Sequence, residues 1–183
     1  MGTKGKDKSM KQTLYIMCGV AGAGKSTFAR EMLEDDTTLW VSRDEIRFSL
    51  LSEHDNYHAK EREAWKIFVN TISKYLKLGY SVIADATHLT RRSRARLLNS
   101  LSFNRKAVEV CVVYVATSVE MCIERNSQRF DRRHVPTHDV FEMGENLESP
   151  LLMEGFDRII VVDENGDIAY IKERGFNYDS FEG

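Results

Sequence analysis

The chain has 183 residues, 42% of them hydrophobic and 30% charged, with a formal net charge of −2. That length fits one domain burying about 70% of its unfolded surface around a single core. The slightly acidic balance excludes a general nucleic-acid coat but leaves room for a local basic cleft.

In chain order, residues 1–12 come first, rich in lysine and glycine and without an apolar block. They read as a flexible leader with no secretory signal. Gly2 follows Met1, but Lys6 stands where a myristoylation signal needs Ser or Thr. A short apolar strand is expected at 14–18. It runs into Gly19-Val20-Ala21-Gly22-Ala23-Gly24-Lys25-Ser26-Thr27, which fits the phosphate-loop pattern G-x-x-x-x-G-K-[ST]. Such glycines let backbone N–H groups line an anion-sized cup, here Gly22, Ala23 and Gly24, and the helix that follows adds its positive end. Lys25 reaches the β- and γ-phosphates, Ser26 is placed to ligate Mg²⁺, and Thr27 continues into the helix over 28–33. The pattern therefore predicts a nucleoside triphosphate with Mg²⁺.

A second strand, 38–41, leads to Ser42-Arg43-Asp44-Glu45-Ile46-Arg47. Ser42 and Glu45 have capping-box spacing, so a helix starts there with Asp44 in its first turn and Arg47 on the same face. At a strand end beside the phosphate loop, Asp44 could take a proton from an attacking hydroxyl while Arg47 holds a phosphate. Equally, Asp44 could be a first-turn carboxylate favoured by the helix dipole and paired with Arg47. The clearest helix spans 56–78, where Ala64, Ile67, Phe68, Ile72, Tyr75 and Leu76 repeat at helical spacing before Gly79.

The third strand, 81–84, closes on Asp85, a direct or second-layer partner for Mg²⁺, with Thr87 and His88 facing the same crevice. The other reading of Asp85 is a cap for the next helix, though Thr90 is better placed for that. A helix is expected over 91–101, a strand over 108–115, and a helix over about 119–129. If that helix continued, Arg125, Arg129 and Arg132 would share one face and form a lid at about 125–137. A solvated face paired with Glu124 and Asp131 is the alternative. A helix over 137–146 lies between Pro136 and Pro150. His134 and His138 lack the H-E-x-x-H pattern, and Pro136 separates them.

A strand at 158–162 and Asp163-Glu164-Asn165-Gly166-Asp167 predict a hairpin with an antiparallel edge strand at 168–172. Phe176, Tyr178 and Phe181 could stack on bases but read better as packing and tail residues. The alternation of strands and helices is that of an α/β fold with a mainly parallel sheet of about five strands. One domain over 13–175 is expected, with a tail at 176–183. Cys18, Cys111 and Cys122, odd in number and in apolar surroundings, read as buried thiols. No stretch reaches the length of a membrane span. A cytoplasmic location is expected.

These motifs resemble the kinase domain of phage-type polynucleotide 5′-kinases and the small P-loop kinases grouped with them. The resemblance rests on Gly22-Ala23-Gly24-Lys25-Ser26-Thr27 with Phe28-Ala29-Arg30, on Ser42-Arg43-Asp44-Glu45-Ile46-Arg47, and on Val82-Ile83-Ala84-Asp85-Ala86-Thr87-His88-Leu89. The most telling piece is Arg125-Asn126-Ser127-Gln128-Arg129 followed by Val135-Pro136. The resemblance implies a three-layer P-loop kinase fold with a helical lid. It implies transfer of the γ-phosphate of ATP to the 5′-hydroxyl of DNA or RNA. Lys25 and Ser26 would bind phosphate and Mg²⁺, and Asp44 would be the general base. Arg47 would hold the acceptor's 3′-phosphate, Arg125 and Arg129 would be lid residues, and Arg129 would contact the donor phosphates. Asp85, Thr87 and His88 fall on the acceptor side, where the family often has Asn in place of His88. The phosphatase domain often fused to such kinases is not expected. Two alternatives stand beside this one: a kinase of a small metabolite, nucleoside or antibiotic, and a nucleotide-binding switch that hydrolyses ATP slowly.

Overall fold

The computed structural model describes residues 11–33, 36–52, 54–56 and 59–175. The leader up to residue 10 and the tail with Phe176, Tyr178 and Phe181 lie outside the described residues. The elements in order are β1 (Thr13–Cys18), α1 (Lys25–Glu31), β2 (Thr38–Ser42), α2 (Arg43–Leu50), α3 (Glu61–Lys77), β3 (Ser81–Asp85) and α4 (Arg91–Ser100). They continue with β4 (Glu109–Val115), α5 (Val119–Ser127), α6 (Thr137–Glu145), a 3-10 turn (Leu152–Glu154), β5 (Arg158–Val162) and β6 (Ile168–Glu173).

The six described strands form one sheet in the order β2-β3-β1-β4-β5-β6. The first five are parallel and β6 is antiparallel to β5. Strand side chains alternate between faces, so each strand feeds two cores. Leu14, Ile16, Val110 and Val112 pack with Phe68, Ile72 and Leu76 of α3 and Leu97 of α4. On the other face Met17, Ile83, Val113 and Val115 pack with Ala29 of α1, Cys122 of α5 and Val140 of α6. The result is a helix–sheet–helix sandwich, and all three cysteines are buried as free thiols. Among the described residues no helix is long and apolar enough to cross a membrane.

Two helices differ from expectation. α3 begins at Glu61 rather than near Asn56, because Asp55 accepts from the Ser52 backbone and hydroxyl and closes a turn there. α5 ends at Ser127, so Arg129 and Arg132 lie on the loop after it and not on one continuous helical face with Arg125. Asn126 explains the stop. It is fully buried, donates to the Val135 carbonyl at 2.6 Å and accepts from the Val135 N–H at 3.1 Å, stitching both ends of the arginine loop together. The segment at 128–136 is therefore a pinned loop between α5 and α6 rather than a helix.

Candidate functional site

The phosphate loop emerges from the carboxyl end of β1, in the middle of the sheet, where ligands of open α/β folds bind. Gly24 caps α1 with φ 103°, in the left-handed region that favours glycine. Gly22 has φ 90°, and a Cβ there would lie 2.4 Å from the Cys122 carbonyl oxygen. The loop can take this path against α5 only with glycine at that position. Lys25 is buried and its Nζ donates to the Val20 carbonyl at 2.8 Å. Burial lowers its pKa, opposed by the nearby Asp85 and Asp44 carboxylates. Thr117, also buried, donates to the Ala23 carbonyl at 2.8 Å and holds the loop from below.

Asp85 ends β3 beside this loop. Its carboxylate accepts from Trp40 Nε1 at 3.0 Å and is hydrogen-bonded to Ser26. Burial raises its pKa, while the Ser26 bond and the Lys25 charge oppose the rise. Asp85 is not the cap of α4; Thr90 fills that place with a full capping box through Ser93. Two oxygen donors side by side, one hydroxyl and one carboxylate, suit a hard cation such as Mg²⁺.

Asp44 and Arg47 stand across the cleft on α2, which Ser42 caps by accepting from the Glu45 N–H at 3.3 Å. The Asp44 side chain is 57% exposed. Arg47 is only 5% exposed, and it donates to Asp44 Oδ1 at 2.6 Å and to Glu61 Oε2 at 2.7 Å. Glu61 also pairs with Arg43. From the opposite wall, Arg133 of the arginine loop reaches Glu45 of α2 at 2.6 Å.

A cleft of about 410 Å³ joins these pieces. Of the residues singled out in the sequence, Gly22, Gly24, Lys25, Ser26, Thr27, Asp44, Arg47, Asp85, Thr87 and Arg129 all line it. Three predicted residues lie elsewhere. Ala23 and Arg125 line an adjoining cavity of about 470 Å³ on the far side of the phosphate loop. There Arg125 donates to the Glu164 carbonyl at 2.7 Å, and the β5–β6 hairpin residues Asn165 and Gly166 form the wall. His88 is buried behind the main cleft, not in it. Burial and the Arg43, Lys25 and Arg94 charges push its pKa down to about 3, so it is neutral.

Several contributors are not visible in the sequence. Glu61 and Arg43 join the same cleft from different helices. Arg94, fully buried on α4, forms a two-pronged bridge to Glu154 at 2.8 Å and donates to the carbonyls of His88, Leu89 and Glu148. It thereby fixes the segment after β3, whose Thr87 carbonyl accepts from the Gly19 N–H at 3.0 Å. Among the described residues no His, Cys, Asp and Glu cluster could hold a metal by itself. His138 instead pairs with Glu142 on α6.

The fold recurs among solved structures. A chain of the Pnkp1/Rnl/Hen1 RNA repair complex is similar with TM-score 0.65 at 22% identity, covering 79% of this chain and 47% of that one. This chain thus spans about half of that relative. A chain of the PezAT chromosomal toxin–antitoxin system of Streptococcus pneumoniae gives TM-score 0.70 at 20% identity, covering 92% of this chain and 74% of that one. A sugar kinase from Janibacter sp. gives TM-score 0.57 at 17% identity, covering 85% and 86%. Likeness at these identities concerns the fold. The family is shown by sequence: the model of the AAA domain matches residues 14–150, and the chain belongs to that family of P-loop kinases.

Proposed function

We propose that the protein is an ATP-dependent kinase that moves the γ-phosphate to the 5′-hydroxyl of a polynucleotide. The observation that carries this reading is one cleft lined by Lys25 and Ser26 on one side and by Asp44 and the buried Arg47 on the other. In the proposed reaction the phosphate loop and Lys25 hold the triphosphate, and Arg129 faces the transferring group. Asp44 takes the proton of the acceptor hydroxyl as its oxygen bonds to the γ-phosphorus, and the bond to the bridging oxygen of ADP breaks. Mg²⁺ held by Ser26 and Asp85 would neutralise charge on the β- and γ-phosphates. The nucleoside end of ATP would lie in the adjoining cavity, between Arg125 and the hairpin.

Four arginines, Arg43 and Arg47 of α2 and Arg132 and Arg133 of the facing arginine loop, line the same cleft. Such a cleft suits an acceptor that carries a phosphate next to its hydroxyl, as a polynucleotide end does. An uncharged sugar offers these guanidinium groups hydroxyl acceptors but no anion, although the likeness to a sugar kinase fold keeps a small alcohol as the second reading. Buried free thiols fit a reducing compartment, and the proposed location is the cytoplasm. The test is labelled ATP offered with a 5′-hydroxyl oligonucleotide and, separately, with a panel of sugars and nucleosides. Label on the oligonucleotide supports the proposal. Label on a small alcohol alone favours the second reading, and hydrolysis that no acceptor accelerates favours a switch.

A further inference from the structure

A separate compartment of about 210 Å³ opens off the acceptor side of the cleft, sharing Arg43 and Thr87 with it. Its lining joins Trp65, His88 and the Arg43 and Arg96 guanidinium groups, on which flat rings can lie, to small polar and aliphatic side chains. Trp65 of α3 is half-buried, with the Arg43 guanidinium 5.2 Å and the Arg96 guanidinium 4.4 Å from its ring centre. His88 is 4% exposed and its ring centre sits 6.3 Å from that of Phe68, which in turn is 6.2 Å from Trp65. His88 Nε2 is buried without a hydrogen-bond partner among the described residues. Its backbone has φ 41°, the one positive φ at a non-glycine residue among those described. A β-carbon residue held in that region and a polar atom left unsatisfied both cost stability, and both mark places where a ligand is received.

Tryptophan and histidine rings and arginine planes are the surfaces on which unstacked bases pack. We infer that the compartment between Trp65 and His88 receives the base of the acceptor's 5′-terminal nucleotide. Its sugar then spans Thr87 and Arg43, so that the 5′-hydroxyl reaches Asp44 and the following phosphate reaches Arg47. The volume holds a single base, which assigns recognition to the terminal nucleotide and not to the strand beyond it. This inference rests on the polynucleotide reading.

The test compares two oligonucleotides with free 5′-hydroxyls, one ordinary and one lacking the base of its first nucleotide. The wild type should favour the ordinary acceptor by about tenfold or more in kcat/KM, the worth of one stacked base. Trp65→Ala should bring the two acceptors within about twofold while the KM for ATP stays put. Arg96→Ala, at an exposed position, should narrow the preference by about threefold and decides the matter if Trp65→Ala fails to fold. Equal use of both acceptors by the wild type, or an undiminished preference in both variants, overturns the inference while leaving the kinase reading intact. Transfer to neither acceptor overturns the polynucleotide reading and the compartment's role together.

Discussion

Arg47 Nη2 lies 2.7 Å from Glu61 Oε2, which fastens the buried guanidinium of α2 to the first turn of α3. Glu61 also pairs with Arg43, so one carboxylate orients two cations of the cleft. Removing it takes one of two carboxylate partners from a buried arginine and leaves Asp44 as the other, a perturbation of local geometry. Glu61→Ala should raise the KM for the acceptor about tenfold or more and change the KM for ATP by less than about threefold. Steady-state kinetics with each substrate varied in turn checks this. An equal rise in both constants would show that Glu61 supports the whole cleft instead.

Gly22→Ala should abolish nucleotide binding. The added Cβ meets the Cys122 carbonyl oxygen at 2.4 Å, and φ 90° strains any L side chain. Strain of this kind is worth about 1–3 kcal/mol, so the melting temperature should fall as well. Calorimetric titration with ATP and a thermal scan read the two effects. Normal ATP affinity in this variant would mean that the loop path is not needed for the triphosphate.

Arg129 lines both the main cleft and the adjoining cavity, and on the proposed reading it meets the donor phosphates. Arginines that meet charge only as transfer proceeds are worth factors of about 10³ or more in rate. Arg129→Ala should therefore lower kcat by about 10²–10³ with little change in the KM for the acceptor. Single-turnover rates at saturating acceptor separate these. A large rise in acceptor KM with kcat preserved would move Arg129 to the acceptor side.

His88 sets a pH dependence of stability. Its folded pKa, about 3, lies below the ordinary value of 6.5, mainly because of burial and then because of Arg43, Lys25 and Arg94. The unfolded chain therefore binds more protons than the folded one between these values. The contribution is complete above about pH 6.5 and is lost as pH falls. One such group costs about 2 kcal/mol between pH 7 and pH 5. His88→Asn, which tolerates φ 41°, should flatten that part of the profile. Urea unfolding of both proteins at pH 7 and pH 5 measures the difference. Parallel profiles would mean that His88 titrates alike in the folded and unfolded chain.

What the sequence reveals of this site is what lies close together along the chain. Lys25 and Ser26, Asp44 and Arg47, and Asp85 sit in short motifs at strand ends, and a parallel sheet brings strand ends to one edge. The hidden partners are long-range. Glu61 is 14 residues from Arg47, and Glu154 is 60 residues from Arg94, so no local period announces either pair. The Asn-Gly hairpin is legible as a hairpin, but its place as a wall of the adjoining cavity depends on how β5 and β6 stack beyond β4. The end of α5 is missed for a different reason. Helical spacing of Arg125 and Arg129 favours continuation, and the two Asn126 bonds to Val135 override it. His88 looks like a crevice residue from its distance to Asp85, yet its left-handed backbone turns the ring into the compartment behind.

The central claim is that Asp44 readies an acceptor hydroxyl across the cleft from a bound triphosphate. Single-turnover transfer from labelled ATP to a 5′-hydroxyl oligonucleotide, with ATP affinity measured on the same preparations, tests it most directly. The account predicts that Asp44→Asn binds ATP as the wild type does and transfers about 10²–10⁴ times more slowly, the range expected for loss of a general base. Transfer at the wild-type rate in Asp44→Asn would contradict it.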